Sequence, residues 1–176
     1  MKKIDPSLGT EIALLGAPPA QSTEGVTLRE ILIGQNITLE GAKNSYGVAA
    51  TDGVQSYLKL ANSKGGVHGR QIVLKTLDDD NRGPKAEANA RQLVEKDQVF
   101  ALFGSLEGGP STAVMKVASE LNVPSFGPMA GPPTLRKPFQ PMVFPVRAEH
   151  RDEFRALIAH AKTLGIKKVA FLRVDT

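Results

Sequence analysis

The run Val99-Phe-Ala-Leu-Phe-Gly104, followed by Ser105-Leu-Glu-Gly-Gly-Pro-Ser-Thr112, an apolar-periodic segment to Leu121 and then Val123-Pro-Ser-Phe-Gly-Pro-Met-Ala-Gly-Pro-Pro-Thr134, decides the fold. A short apolar run bounded by turn residues reads as a buried strand, and the spacing of Ala113, Val114, Val117, Ala118 and Leu121 reads as a helix with one buried face. Strand, turn, helix and strand make one parallel crossover unit, because parallel neighbours need a long connection. Both loops then leave the carboxyl ends of their strands, the edge at which open α/β sheets bind small molecules.

The alternation extends upstream. Arg29 to Leu39 carries the β-branched run of a first strand, and Glu40 to Asn44 forms a loop. The recurrence of Tyr46, Ala50, Gly53, Tyr57, Leu60 and Ala61 predicts a helix from about Ser45 to Ser63, ended at Lys64-Gly-Gly66. Gln71 to Leu77 is a second strand running into Asp78-Asp-Asp80, and a helix opening at Asn81 to Pro84 buries Ala86, Ala90, Leu93 and Val94. The series predicts a doubly wound parallel sheet in a three-layer α/β/α sandwich. Downstream, Leu135 to Pro141 is a proline-punctuated connection and Met142 to Arg147 an extended apolar piece. An amphipathic helix follows from Glu149 to Leu164, with Phe154, Leu157, Ile158, Ala161 and Leu164 on one face, and Val169 to Val174 is one more strand.

At 176 residues, 41% apolar and 23% charged, the chain suits one ordinary core. A net charge of +4 scattered singly along helices gives no basic stripe for nucleic acid. The absence of cysteine excludes disulfides and thiolate metal sites. No run approaches the ~18 apolar residues that span a bilayer. The first 25 residues, with Lys2, Lys3, a short apolar piece from Ile12 to Leu15 and Ala20-Gln-Ser22, read as a signal remnant or a disordered leader outside the fold.

The turn from Gly104 to Thr112 is the best candidate site. Gly108 and Gly109 let the backbone approach a ligand, and a helix starting near Pro110 aims unpaired amides at an anion such as a carboxylate. Glycine turns before helices also occur simply to make the turn. The loop Gly127-Pro-Met-Ala-Gly-Pro-Pro133 lies at the end of the neighbouring strand, so the two form a shelf, completed by Tyr46 at the start of the first helix. Asp78, Asp79 and Asp80 could hold magnesium, as in phosphoacceptor domains, or simply cap the following turn. His68, His150 and His160 are not paired with a nucleophile or with each other, and no glycine-x-serine-x-glycine elbow is present, so no catalytic constellation is visible.

Ile31-Leu-Ile-Gly-Gln35, Ser45-Tyr-Gly47, Asn62-Ser-Lys-Gly-Gly-Val-His-Gly-Arg70, Asp78-Asp-Asp80, Leu93-Val-Glu-Lys-Asp97 with Val99 to Gly104, and Asn122-Val-Pro124 occur in that order. As a set they resemble the type I periplasmic solute-binding proteins of branched-chain amino acid transporters, over about Glu30 to Val174. The resemblance implies a non-enzymatic, cofactor-free, two-lobed trap that delivers a small molecule to a membrane ABC permease. It implies ligand contacts from Tyr46, Ser105, Leu106, Gly108, Gly109, Met129, Ala130 and Gly131. The family usually carries a hydroxyl residue at Gly108 and an alanine-alanine-threonine loop at Met129-Ala-Gly131, so two hydroxyls are missing and an aliphatic or aromatic carboxylate joins the amino acids as a ligand class. The length implies an amino-terminal ligand-binding lobe over residues 26–144, then a hinge crossing and the start of a second lobe over 145–176. The apolar face of that last segment is expected to pack on the lobe or to pair with a second copy. A cytoplasmic ligand-sensing regulator of the same fold, and a magnesium-dependent phosphoacceptor, are the alternatives.

Overall fold

The computed structural model describes residues 24–39 and 44–170. Strand β1 (Glu30–Ile37) leads to helix α1 (Ser45–Ser63), strand β2 (Gln71–Asp78) and helix α2 (Gly83–Arg91), which continues as a wider π-helical turn over Gln92–Lys96. Strand β3 (Ala101–Phe103), helix α3 (Gly108–Glu120) and strand β4 (Ser125–Phe126) follow, then a short 3-10 turn (Pro133–Leu135), strand β5 (Val143–Phe144) and helix α4 (His150–Thr163). The sheet is wholly parallel in the order β2-β1-β3-β4-β5. The chain therefore winds outward from β1 in one direction and then, at β3, in the other. The switch lies between β1 and β3, where Ile33 pairs with Ala101 and Gln35 with Phe103.

The main core lies between the sheet and the α2–α3 pair. Ala86, Ala90, Leu93, Val99, Leu102, Val114 and Val117 form its centre. Each helix lays its predicted face there, except that Leu121 is only half-buried. Gly34 lets the Leu93 methyls come down on β1, since a Cβ there would stand 3.1 Å from both of them and from Val99. Arg91 crosses from α2 to the Glu120 carboxylate on α3, which holds that carboxyl below its usual range.

Among the described residues the opposite face is covered by α1 alone. The Asn62 amide takes both backbone groups of Ile72, at 2.8 Å each, and so pins α1 to β2. The buried stripe of α1 differs from the one the apolar residues suggested: Tyr46, Tyr57 and Leu60 are more than half exposed, and Gly47 and Thr51 face inward. The inward face is small and polar because the helix sits close to β1 and Thr51 Oγ1 donates to Gln35 Oε1. Beside α1 the sheet is left open as an apolar groove of about 590 Å³ along Ile31, Ile33, Tyr57, Phe103 and Phe126.

Several boundaries depart from expectation. Gly25 belongs to the fold despite its leader-like context, because it packs directly on the Val99–Phe100 backbone and its carbonyl accepts from Leu32 N–H. The extended piece after Pro141 is a fifth strand, reached from β4 without an α-helix. Helix α4 does not pack on the sheet: none of its residues is buried. Residues 166–170 carry no strand, and the remainder of the strand expected to Val174 lies outside the described residues, as do residues 1–23 and most of the Glu40–Asn44 loop.

Candidate functional site

Three segments meet at the carboxyl edge of the sheet beside the switch point. Helix α1 begins against the end of β1 because Gly47 has no side chain; any Cβ there would collide with the Thr38 carbonyl. Asn44 caps α1, its Oδ1 accepting from the Tyr46 N–H at 3.0 Å. The same amide donates through Nδ2 to Glu107 Oε1 at 3.2 Å, which ties the start of α1 to the start of α3. Tyr46 stands in the first turn of α1 and is 78% exposed.

The glycine turn differs from its sequence reading in one respect. Helix α3 starts at Gly108, two residues before the expected Pro110, so Gly108 and Gly109 form its first turn. Only Gly104 in this turn needs glycine for its backbone, at φ 67°. A Cβ at Gly109 would meet nothing within 4 Å, and one at Gly108 only Pro132 Cγ at 3.9 Å. The fold does not require glycine at either position. The space a side chain would take is open, and the two N–H groups have no acceptor among the described residues. On one side this turn borders a depression of about 560 Å³ shared with Pro84, Thr112 and Lys116.

The second loop joins the first through its backbone: Met129 N–H donates to the Ser105 carbonyl at 2.8 Å, and the Thr112 and Thr134 hydroxyls lie 3.3 Å apart. Met129 is half-buried and Ala130 is buried. Gly131, expected to stand where a ligand-facing hydroxyl would be, has another reason to be glycine. The His150 ring and the Ala148 carbonyl occupy the place of its Cβ, and His150 N–H donates to its carbonyl at 2.9 Å. The segment leading into α4 is laced to this loop. The Arg136 guanidinium donates to the carbonyls of Ala130, Pro132 and Arg147, and Lys137 pairs with the buried Glu149 at 3.3 Å. Arg147 is held bidentately by Glu153, at 2.7 and 2.8 Å, which raises the guanidinium pKa and lowers that of the carboxyl.

Of the four buried side-chain polar atoms without a partner among the described residues, three lie at this edge: Gln35 Nε2 beside Gly104, Ser105 Oγ at the turn and Ser111 Oγ in the first turns of α3; the fourth is Asp97 Oδ2. Unsatisfied buried groups are rare, so three near one turn mark it out. Ser105 was legible from sequence; Gln35, buried inside a strand, carried no signal, and neither did Glu107. Asn44 could have been found as the cap residue preceding an amphipathic run.

The aspartates take strand-end roles. Asp79 is fully buried and accepts from Asn36 Nδ2 (2.8 Å), Thr38 Oγ1 (2.6 Å) and Asn81 N–H (2.9 Å). Burial raises its pKa against those hydrogen bonds. Asp78 accepts from the amides of Leu39 and Asp80, and Asp80 pairs with Arg82. Among the described residues no three His, Asp or Glu side chains converge as metal ligands.

A parallel sheet with its switch point under a bare helix start defines an α/β small-molecule-binding unit. A family model described as periplasmic binding protein matches residues 30–176, and the chain belongs to that family. A Leu/Ile/Val-binding protein, BraC3 of Rhizobium johnstonii, is 30% identical over 130 residues, covering 74% of this chain and 35% of the relative. The substrate-binding protein LivJ of Streptococcus pneumoniae, solved with isoleucine, superposes with a TM-score of 0.64 at 26% identity, over 69% of this chain and 34% of that one. A substrate-binding periplasmic protein of Ralstonia solanacearum superposes at 0.71 with 28% identity, over 77% and 38%. The chain spans about a third of the length of the curated relatives it matches. These relatives are binding proteins, and the family implies an extracytoplasmic setting.

Proposed function

We propose that this chain acts in the periplasm as the ligand-capturing part of a solute-binding component of an ABC importer, for a branched-chain amino acid or a related small carboxylate. Residues 26–144 form the lobe that receives the ligand, and 145–176 cross towards a second lobe. The ligand carboxylate sits on the first turn of α3, where the amides of Gly108 and Gly109 and the positive end of the helix dipole receive it. Ser105 Oγ and the exposed Tyr46 contribute polar contacts, while Leu106, Met129 and Ala130 provide the apolar floor. Gly131 acts indirectly, by leaving room for the His150 ring and accepting its N–H. The observation that carries this reading is the bare first turn: glycines that the fold does not need leave open space over unpaired amides. A membrane ABC permease is the partner that such a component serves.

Thermal unfolding of the full chain in the presence of small acids and amino acids tests it. A ligand that binds only the folded state raises the midpoint with concentration. A rise with branched-chain amino acids or their carboxylate analogues is expected; a rise with neutral isosteres alone, or with none of these compounds, would refute it.

A further inference from the structure

Glu107 stands where a carboxylate is least expected if the site takes a plain acid. It is the N-cap residue of α3, yet its side chain does not cap its own helix. Its Oε1 instead accepts from Asn44 Nδ2 across the turn, and it makes no ion pair among the described residues. Arg147, whose charge interacts with that of Glu107, is already committed bidentately to Glu153. A half-buried negative charge therefore stands beside the free amides of Gly108 and Gly109 and the unpartnered, 3% exposed Ser105. Two carboxylates, the protein's and the ligand's, would repel each other across that first turn.

We propose that Glu107 sets the charge requirement of the site: its free Oε2 receives an ammonium group, so the admitted ligand is a zwitterion with its ammonium adjacent to its carboxylate. This rests on the carboxylate reading above. Helix amides and dipole select one end of the ligand, and Glu107 selects the other. A carboxylic acid lacking the amine keeps the first contact and meets repulsion in place of the second. Glu107 is thus a specificity-determining residue on this lobe, with Asn44 fixing its orientation.

The test uses the ¹⁵N-labelled 176-residue chain, titrated with L-leucine and with 4-methylpentanoate, the same skeleton without the amine. Glu107→Gln keeps an oxygen to accept from Asn44 and removes only the charge. The wild-type protein is expected to prefer leucine by at least about tenfold, the worth of one charge-assisted hydrogen bond. Glu107→Gln should bring the two affinities to within about twofold, the residue of that difference once the charge is gone. Equal wild-type affinities, or a leucine preference that survives Glu107→Gln, would overturn the assignment and leave the carboxylate reading standing. Binding of neither compound at millimolar concentration would overturn both.

Discussion

At the scale of single residues, the polarity of one buried network is fixed by its donors. Asn89 Nδ2 donates to Asn36 Oδ1, so Asn36 must present Nδ2 to Asp79. Asp79→Asn would set an amide donor against either Asn36 Nδ2 or the Asn81 N–H, whichever way the amide turns, and we expect a loss of about 1–3 kcal/mol in denaturant unfolding, the usual cost of a buried group left unsatisfied. The pH dependence has a definite sign. Burial raises the Asp79 pKa in the folded state above its ordinary 3.8, so the stability it lends is complete below that value and is lost as pH rises through the raised one. The stability gap between wild type and Asp79→Asn should therefore narrow as pH rises from about 4 towards neutrality, by the same linkage; a gap that widens over that interval would contradict the burial argument. Glycines divide just as sharply. At Gly47 and Gly131 the neighbouring atoms explain the residue, and at Gly109 nothing in the fold does. Sequence alone could not separate these cases, because a missing side chain looks the same whether protein or ligand fills its place.

At the scale of elements, what was legible were the periodic helices and strands. Ala86, Ala90, Leu93 and Val94 on α2, and Ala113 to Ala118 on α3, declare their buried faces because both helices pack on one continuous apolar core. The stripe on α1 departs from its apolar periodicity because that helix meets the sheet through Gly47 and Thr51, while Tyr57 borders an open groove. The fifth strand was hidden by its two-residue length and by a connection that lacks a helix. One contact governs how α4 departs. Gly131→Ala would drive a methyl into the His150 ring and the Ala148 carbonyl. We expect a loss of about 1–3 kcal/mol, as for other overpacked sites, with faster amide exchange at His150, whose N–H bonds the Gly131 carbonyl. Unchanged exchange there would mean that α4 is held by Arg136 and Lys137 alone.

At the scale of the whole molecule, two apolar surfaces stand open among the described residues: the groove beside α1, and the stripe of α4 in which Phe154, Leu157 and Ile158 are each about half exposed. Contiguous apolar patches of this kind mark association surfaces. A second copy pairing through α4 is the expected consequence for the 176-residue chain, read as a dimer by light scattering that reverts to monomer in Leu157→Glu; a monomer at all concentrations would remove it. None of the ligand contacts proposed above belongs to either surface.

On the function proposed above, the first turn of α3 is bare for the sake of a ligand. Gly109→Ala separates that from a purely structural turn, because one substitution should move stability and binding in opposite directions. Alanine meets no neighbour and suits a helix better than glycine, so the fold should be unchanged or gain up to about 0.5–1 kcal/mol. Leucine titrated into the ¹⁵N-labelled protein should shift the amides of Gly108 and Gly109 in the wild type and bind at least about tenfold more weakly in the variant, as expected when a methyl blocks one charge-assisted hydrogen bond. Equal affinity in the two proteins, with the Gly108 amide unmoved by leucine, would show that the turn is only a turn.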